Sequence, residues 1–253
     1  MKNIPIDSVR NFALMGHTGS GKTSLIDSIL FKLGQVERVG SPENGTSVAD
    51  WTDEEKAHEI SIWAKPFDGV YTAASRKVRR LVMIDTPGFA DFIGQMTAAA
   101  EITDAALITV DASSGIQVGT QRAWKAAEKR NLPRGIAITC LDKDDTDFDS
   151  TLMEIKERWG DDRCVPMVLP TSDGKAIDIL NTPSDQVPEE LADRVKAIKD
   201  HLIELAAETD DALMEKYFEG EELTADEKED PNEPANPPSP LDDQPELPEY
   251  QVG

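Results

Sequence analysis

The stretch "GHTGSGKT", Gly16 to Thr23, limits the possible fold more than any other feature of the chain. It fits G-x-x-x-x-G-K-[ST], with the apolar run "RNFALMG" leading into it and the amphipathic run "TSLIDSILFKLG" leaving it. A strand, a glycine-rich turn and a helix in that order make a phosphate-binding loop, because successive backbone N–H groups then point inward at phosphate oxygens. Gly16, Gly19 and Gly21 let the backbone curl around His17, Thr18 and Ser20. Lys22 brings a point charge to the β and γ phosphates, Thr23 brings a hydroxyl to Mg2+, and Ser24 extends the helix start whose dipole favours anions. Such a unit belongs at the carboxyl end of a mainly parallel sheet.

The following segments fit that sheet. "ISIWAKPF" and "RRLVMIDTP" read as strands with "DGVYTAASRK" as their hairpin connection. "AALITVDA" and "RGIAITCL" read as two more, separated by the helix "GTQRAWKAAEKRNLP". Strands interleaved with helices predict an α/β phosphate-loop domain over residues 1–158. Beyond Gly160, "CVPMVLPTS" reads as one further strand and "VPEELADRVKAIKDHLIELAAETDDALMEKYFEG" as amphipathic helix in two pieces, a subdomain over 159–224. From Ala225 onward the chain is acidic and Pro-rich with little to bury, which predicts a disordered tail over 225–253.

Composition narrows the partners. A net charge of -23 leaves no basic surface for phosphate backbones, so direct nucleic-acid binding is not expected. Cys140 and Cys164 have no neighbouring Cys or His and make neither a zinc site nor a disulfide framework. No apolar run approaches the length of a membrane span; a cytoplasmic monomer is expected.

"DTPG", Asp85 to Gly88, ends a strand some distance after the phosphate loop and supplies the second half of a nucleotide triphosphatase. Asp85 is placed to hold Mg2+ through a water, and the Gly88 N–H to donate to a γ-phosphate. With "DWTDEEKAHEISI", "DTPGFADF", "DAALITVDASSGIQVGTQRAW" and "ALMEKYFEGEELT", the chain from about Ser8 to Glu227 resembles the nucleotide-binding part of the elongation factor G family of translational GTPases, nearest its elongation factor G-like branch. The last phrase is similar to the helical insert of that family. The resemblance therefore implies a phosphate-loop GTPase domain truncated within an incomplete insert, binding GTP or GDP with Mg2+ and acting with the ribosome.

The resemblance also assigns individual residues. The first switch carries "EISI" where the family has Gly-Ile-Thr-Ile, so Ser61 keeps a metal-ligating oxygen and Glu59 stands in place of glycine. The guanine-reading Asn-Lys-x-Asp aligns with "TCLD", giving Thr139, Cys140 and Asp142; a slipped register, "DKDD" from Asp142, restores a lysine. Phe89 occupies the place of the histidine that orients the attacking water, and Gly19 that of an aspartate. Phenylalanine neither accepts a proton nor hydrogen-bonds water, so slow GTP hydrolysis is expected. An interaction module that binds nucleotide without turnover, or an incomplete fragment without independent activity, are the other readings.

Overall fold

The computed structural model describes residues 4–73 and 76–207. β1 (Val9–Gly16) feeds the phosphate loop and α1 (Lys22–Lys32) leaves it. The helix stops at Gly34, whose φ of 68° is left-handed, while the Gln35 N–H reaches back to Leu30 O at 2.9 Å. Then come α2 (Asp53–His58), β2 (Lys65–Thr72), β3 (Val78–Asp85), α3 (Ile93–Ile102), β4 (Ala105–Asp111), α4 (Val118–Lys129), β5 (Arg134–Thr139) and α5 (Phe148–Trp159).

The sheet has the order β2-β3-β1-β4-β5. β1 pairs in parallel with β3 and β4, and β4 with β5, whereas β2 is antiparallel to β3. The fold is thus mixed α/β with a mostly parallel sheet, as the strand–helix alternation predicts. Central β1 buries Ala13, Leu14 and Met15 in succession, the mark of a strand covered on both faces. Ala13 and Met15 face a cluster with Met96, Ala99 and Ala100 of α3 and Ala123 and Ala127 of α4. Leu14 faces the opposite cluster with Ile26 and Leu30 of α1 and Met83 of β3. The sheet is so clamped that its carboxyl end presents the phosphate loop and the ends of β3, β4 and β5 together.

Two strand expectations need correction. β2 begins at Lys65 rather than Ile60 and continues through Asp68–Thr72, which the sequence reads as a connection. Its register runs from Lys65 opposite Asp85 to Thr72 opposite Val78. As an edge strand β2 tolerates Pro66, and Asp68 turns outward to meet Arg80 at 2.8 Å. The "CVPMVLPTS" strand shortens to β6 (Val168–Pro170) and pairs with β7 (Ala176–Asp178) in a separate two-stranded sheet.

The chain divides between Val165 and Pro166, later than a boundary after residue 158. α5 stays with the first unit because Trp159 stacks on Trp124 with ring centroids 4.2 Å apart. The second unit holds the β6–β7 hairpin, turned at Gly174 (φ 78°), and the amphipathic α6 (Glu189–Ala207). The remainder of the helical segment to residue 224 and the tail over 225–253 lie outside the described residues. Among those described, no helix is long and apolar enough to cross a membrane.

Candidate functional site

The phosphate loop closes over itself. Ser20 Oγ contacts Thr109 Oγ1 at 2.6 Å and donates to His17 O at 2.7 Å, tying the loop to β4. Gly21 sits at φ 76°, a conformation that frees the chain to enter α1. Lys22 is only 5% exposed, and its ammonium donates to His17 O at 2.6 Å and more distantly to Gly16 O. Burial pushes it down to about 8, against the opposing pull of Asp85 and Asp50. A buried cation whose bonds go to loop carbonyls is poised to exchange them for phosphate oxygens.

His17 turns its ring toward the start of α4. Its Nδ1 accepts the Gly119 N–H at 3.3 Å, which anchors the loop to the start of α4. A Cβ at position 119 would lie 2.6 Å from His17, so only glycine admits this approach. Burial, then Lys22 and Arg122, lower the imidazole below its ordinary value.

Four side chains from four segments meet beside Lys22. Thr23 Oγ1 donates to Asp85 Oδ2 at 3.1 Å, Ser61 Oγ donates to Asp50 Oδ1 at 2.8 Å, and the two hydroxyl oxygens stand 3.0 Å apart. Each hydroxyl has one proton and ionised carboxylates only accept. Two protons therefore serve three oxygen–oxygen contacts, and one contact is left without a proton. Asp85 is buried and raised by that burial to about 6, opposed by Lys22 and the Thr23 bond, and its Oδ1 has no hydrogen-bond partner among the described residues. Two hydroxyl oxygens sharing too few protons and an orphaned carboxylate oxygen are the donor set of a hard cation, so the residues fit Mg2+.

Gly88 follows at the closest approach to the loop. A Cβ there would lie 2.6 Å from Lys22 Nζ and from Thr18 N. Thr86 fixes the turn by donating to Leu14 O at 2.5 Å. Phe89 is 38% exposed and stands between two cavities. One, of about 340 Å3, is the cleft holding Gly19, Lys22, Thr23, Ser24, Ser61 and Gly88. The other, of about 290 Å3, is lined by Ile93, Met96 and Val118 beyond the ring.

At the end of β5, Thr139 Oγ1 is 3.0 Å from Ser20 O and 3.1 Å from Val110 O, bridging the phosphate loop and β4. Cys140 adopts φ 58° and burial raises its thiol, while Asp142 is exposed. Lys143, the lysine of the slipped register, pairs with Asp111 at 2.8 Å. The structure thus brings together the phosphate-loop residues, Ser61, Asp85 and Gly88, with Phe89 at their margin and Thr139 at the far end of the loop.

Sequence reasoning misses Asp50, Glu55 and Lys65. Lys65 Nζ lies 3.2 Å from Asp50 and 2.6 Å from the wholly buried Glu55. The legible signal is Thr52-x-x-Glu55, a capping box in which Thr52 Oγ1 accepts the Glu55 N–H at 3.2 Å and Glu55 accepts the Thr52 N–H at 3.3 Å. Glu59, where the resembled family has glycine, ends α2 at φ 53°, the left-handed conformation that glycine adopts most easily.

Residues 7–230 match the family model of the elongation factor Tu GTP binding domain. A crystal structure of a protein from Thermus thermophilus is 36% identical, with a TM-score of 0.74 over 88% of this chain and 34% of that one. The chain therefore spans about a third of that protein's length. With a phosphate loop, a metal-fitting oxygen cluster and this match over most of its length, the chain belongs to the elongation factor Tu GTP-binding domain family of translational GTPases.

Proposed function

We propose that this domain binds GTP and GDP with Mg2+ and hydrolyses GTP slowly, in connection with the ribosome. The observation that carries the reading is the convergence of Lys22, Thr23, Ser61 and Asp85 beside Gly88, with an apolar ring at the next position. Lys22 would hold the β and γ phosphates, and the Gly88 N–H would donate to the γ-phosphate. Thr23, Ser61 and Asp85 would hold Mg2+, which when bound neutralises charge on the phosphate oxygens of the transferring group. Phe89 sets an apolar ring at the margin of that position and supplies no atom to orient an attacking water. Thr139, at the place of the resembled family's asparagine, bonds the phosphate loop at Ser20 O, and exposed Asp142 is the carboxylate that would accept the guanine donors.

The test is binding of a fluorescent GDP analogue with Mg2+, competed by GDP, GTP and ATP, followed by phosphate release. Displacement by guanine nucleotides alone, with release slow and proportional to protein, is expected. Equal competition by ATP, or no binding by folded protein, overturns the reading. Connection with the ribosome is tested by adding ribosomes to the release assay, where an unchanged rate counts against it.

Gly88→Ala separates the phosphates. Its added methyl would press on Lys22 and Thr18, where a γ-phosphate must fit. Binding of a non-hydrolysable GTP analogue is expected to weaken about tenfold while GDP affinity changes less than about threefold. Equal weakening of both would show that Gly88 does not face the γ-phosphate.

A further inference from the structure

Lys65 is a buried cation at the first position of β2, 6% exposed and three residues past the first-switch phrase that ends at Ile62. Its ammonium pairs with Glu55 Oε1 at 2.6 Å and Asp50 Oδ1 at 3.2 Å, and it also donates to Ala49 O. Glu55 in turn accepts the backbone N–H groups of Ile62 at 3.0 Å and Trp63 at 3.4 Å, besides those of its capping box. Asp50 accepts the Ser61 hydroxyl. One ammonium therefore gathers both ends of the segment from Ala49 to Trp63, and Ser61 hangs from it through Asp50.

This arrangement has a directional consequence. A serine hydroxyl on an exposed loop rotates freely, and its lone pairs face a metal only part of the time. Ser61 Oγ bonds to the Asp50 carboxylate at 2.8 Å and stands 3.0 Å from Thr23 Oγ1, so Asp50 sets where the hydroxyl oxygen sits. Asp50 can hold that position only while its own carboxylate is fixed, and Lys65 fixes it. Two carboxylates drawn to one buried ammonium also tie two points of the segment to one place, and without the ammonium both acids would lose their shared cation.

We propose that Lys65 is a positioning residue that holds Ser61 Oγ beside Thr23, through Asp50 and Glu55. The proposal rests on the reading of Thr23, Ser61 and Asp85 as metal ligands. It ties the first switch to the first residue of β2 through a buried ion pair.

The experiment compares wild type with Lys65→Met, which keeps the length of the side chain and removes its charge. In the nucleotide-free protein, amide exchange at Ile62 and Trp63 is expected to quicken at least about tenfold. The Mg2+ concentration giving half-maximal binding of a non-hydrolysable GTP analogue is expected to rise about tenfold, with GDP affinity measured without Mg2+ changed less than about twofold. In a Ser61→Ala background, Lys65→Met is expected to add nothing further to the Mg2+ dependence.

Unchanged exchange at Ile62 and Trp63 overturns the proposal, as does equal loss of GDP binding without Mg2+ or a fully additive double variant. Because the exchange arm needs no nucleotide, failure of wild type to bind guanine nucleotides would refute the functional reading while the exchange result still decides whether Lys65 orders the segment. Should Lys65→Met not fold, Asp50→Asn removes the Lys65–Asp50 pair, leaves the Lys65–Glu55 pair and keeps an oxygen for Ser61; a raised Mg2+ requirement is again expected, and an unchanged one overturns the proposal.

Discussion

Phe89→His is expected to raise GTP turnover roughly a hundredfold, the lower range for a positioned acid–base group. The ring stands at the edge of the cleft that contains Lys22, Ser61 and Gly88, so an imidazole of similar size would reach the same place. It would bring a nitrogen able to hydrogen-bond a water, which the phenyl ring lacks. Affinity for GTP and GDP should change little, because phosphates and metal are held by other groups. Phe89→Ala provides the control: it opens the same space without supplying a polar atom. Turnover by Phe89→Ala should stay within about threefold of wild type, far below the histidine gain. Equal rates for the two variants would show that Phe89 acts by blocking access, and no change in either would remove Phe89 from the account of turnover.

The expectation for Phe89 is legible because phosphate chemistry fixes spacing. A loop of backbone donors, a lysine, a hydroxyl and an aspartate must meet within a few ångströms, and "GHTGSGKT" and "DTPG" write that meeting into short fixed strings. The strand–helix alternation predicts the α/β sheet for a similar reason, since β1 buried on both faces leaves an unbroken apolar run. β2 is harder to read. Asp68 and Gly69 look like a turn, yet an edge strand paired on one side accommodates both: Asp68 meets Arg80, and a Cβ at Gly69 would lie 2.6 Å from Leu33 Cδ1.

The support around the site has no such signature. Lys65, Asp50 and Glu55 are brought together by the course of the chain, and no periodicity marks an ion pair between a strand and a loop. The same holds for the His17–Gly119 anchor and the Thr139 bridge to Ser20, which join residues more than a hundred positions apart. Sequence therefore reveals the atoms that touch phosphate more readily than those that hold them in place. Such holding groups answer to local packing, and any residue of suitable shape and charge can fill the role.

Lys22→Met should separate binding from stability in opposite directions. Removing the ammonium deletes the charge over the β and γ phosphates, and nucleotide affinity should fall at least about a hundredfold. The nucleotide-free protein should become more stable. Lys22 is buried, its bonds among the described residues go to carbonyls, and burial holds it down at about 8 against an ordinary 10.5, a displacement worth about 3 kcal/mol between the two charge states. The folded value lies below the unfolded one, so the lysine's contribution to folding is fully present above about 10.5 and is lost as pH falls through about 8. At pH 7 the charged form is carried into the fold at a penalty that methionine avoids, and a gain of about 1 to 3 kcal/mol is expected after two carbonyls lose their donor. The gain should shrink toward pH 10.5, where the wild-type lysine is neutral in the fold. Thermal unfolding of the nucleotide-free proteins at pH 7 and pH 10 reads both effects. A variant less stable than wild type at pH 7 would mean that the Lys22 bonds to the loop outweigh the burial of its charge. The cation would then be a structural member of the loop rather than a group held at a disadvantage until phosphate arrives.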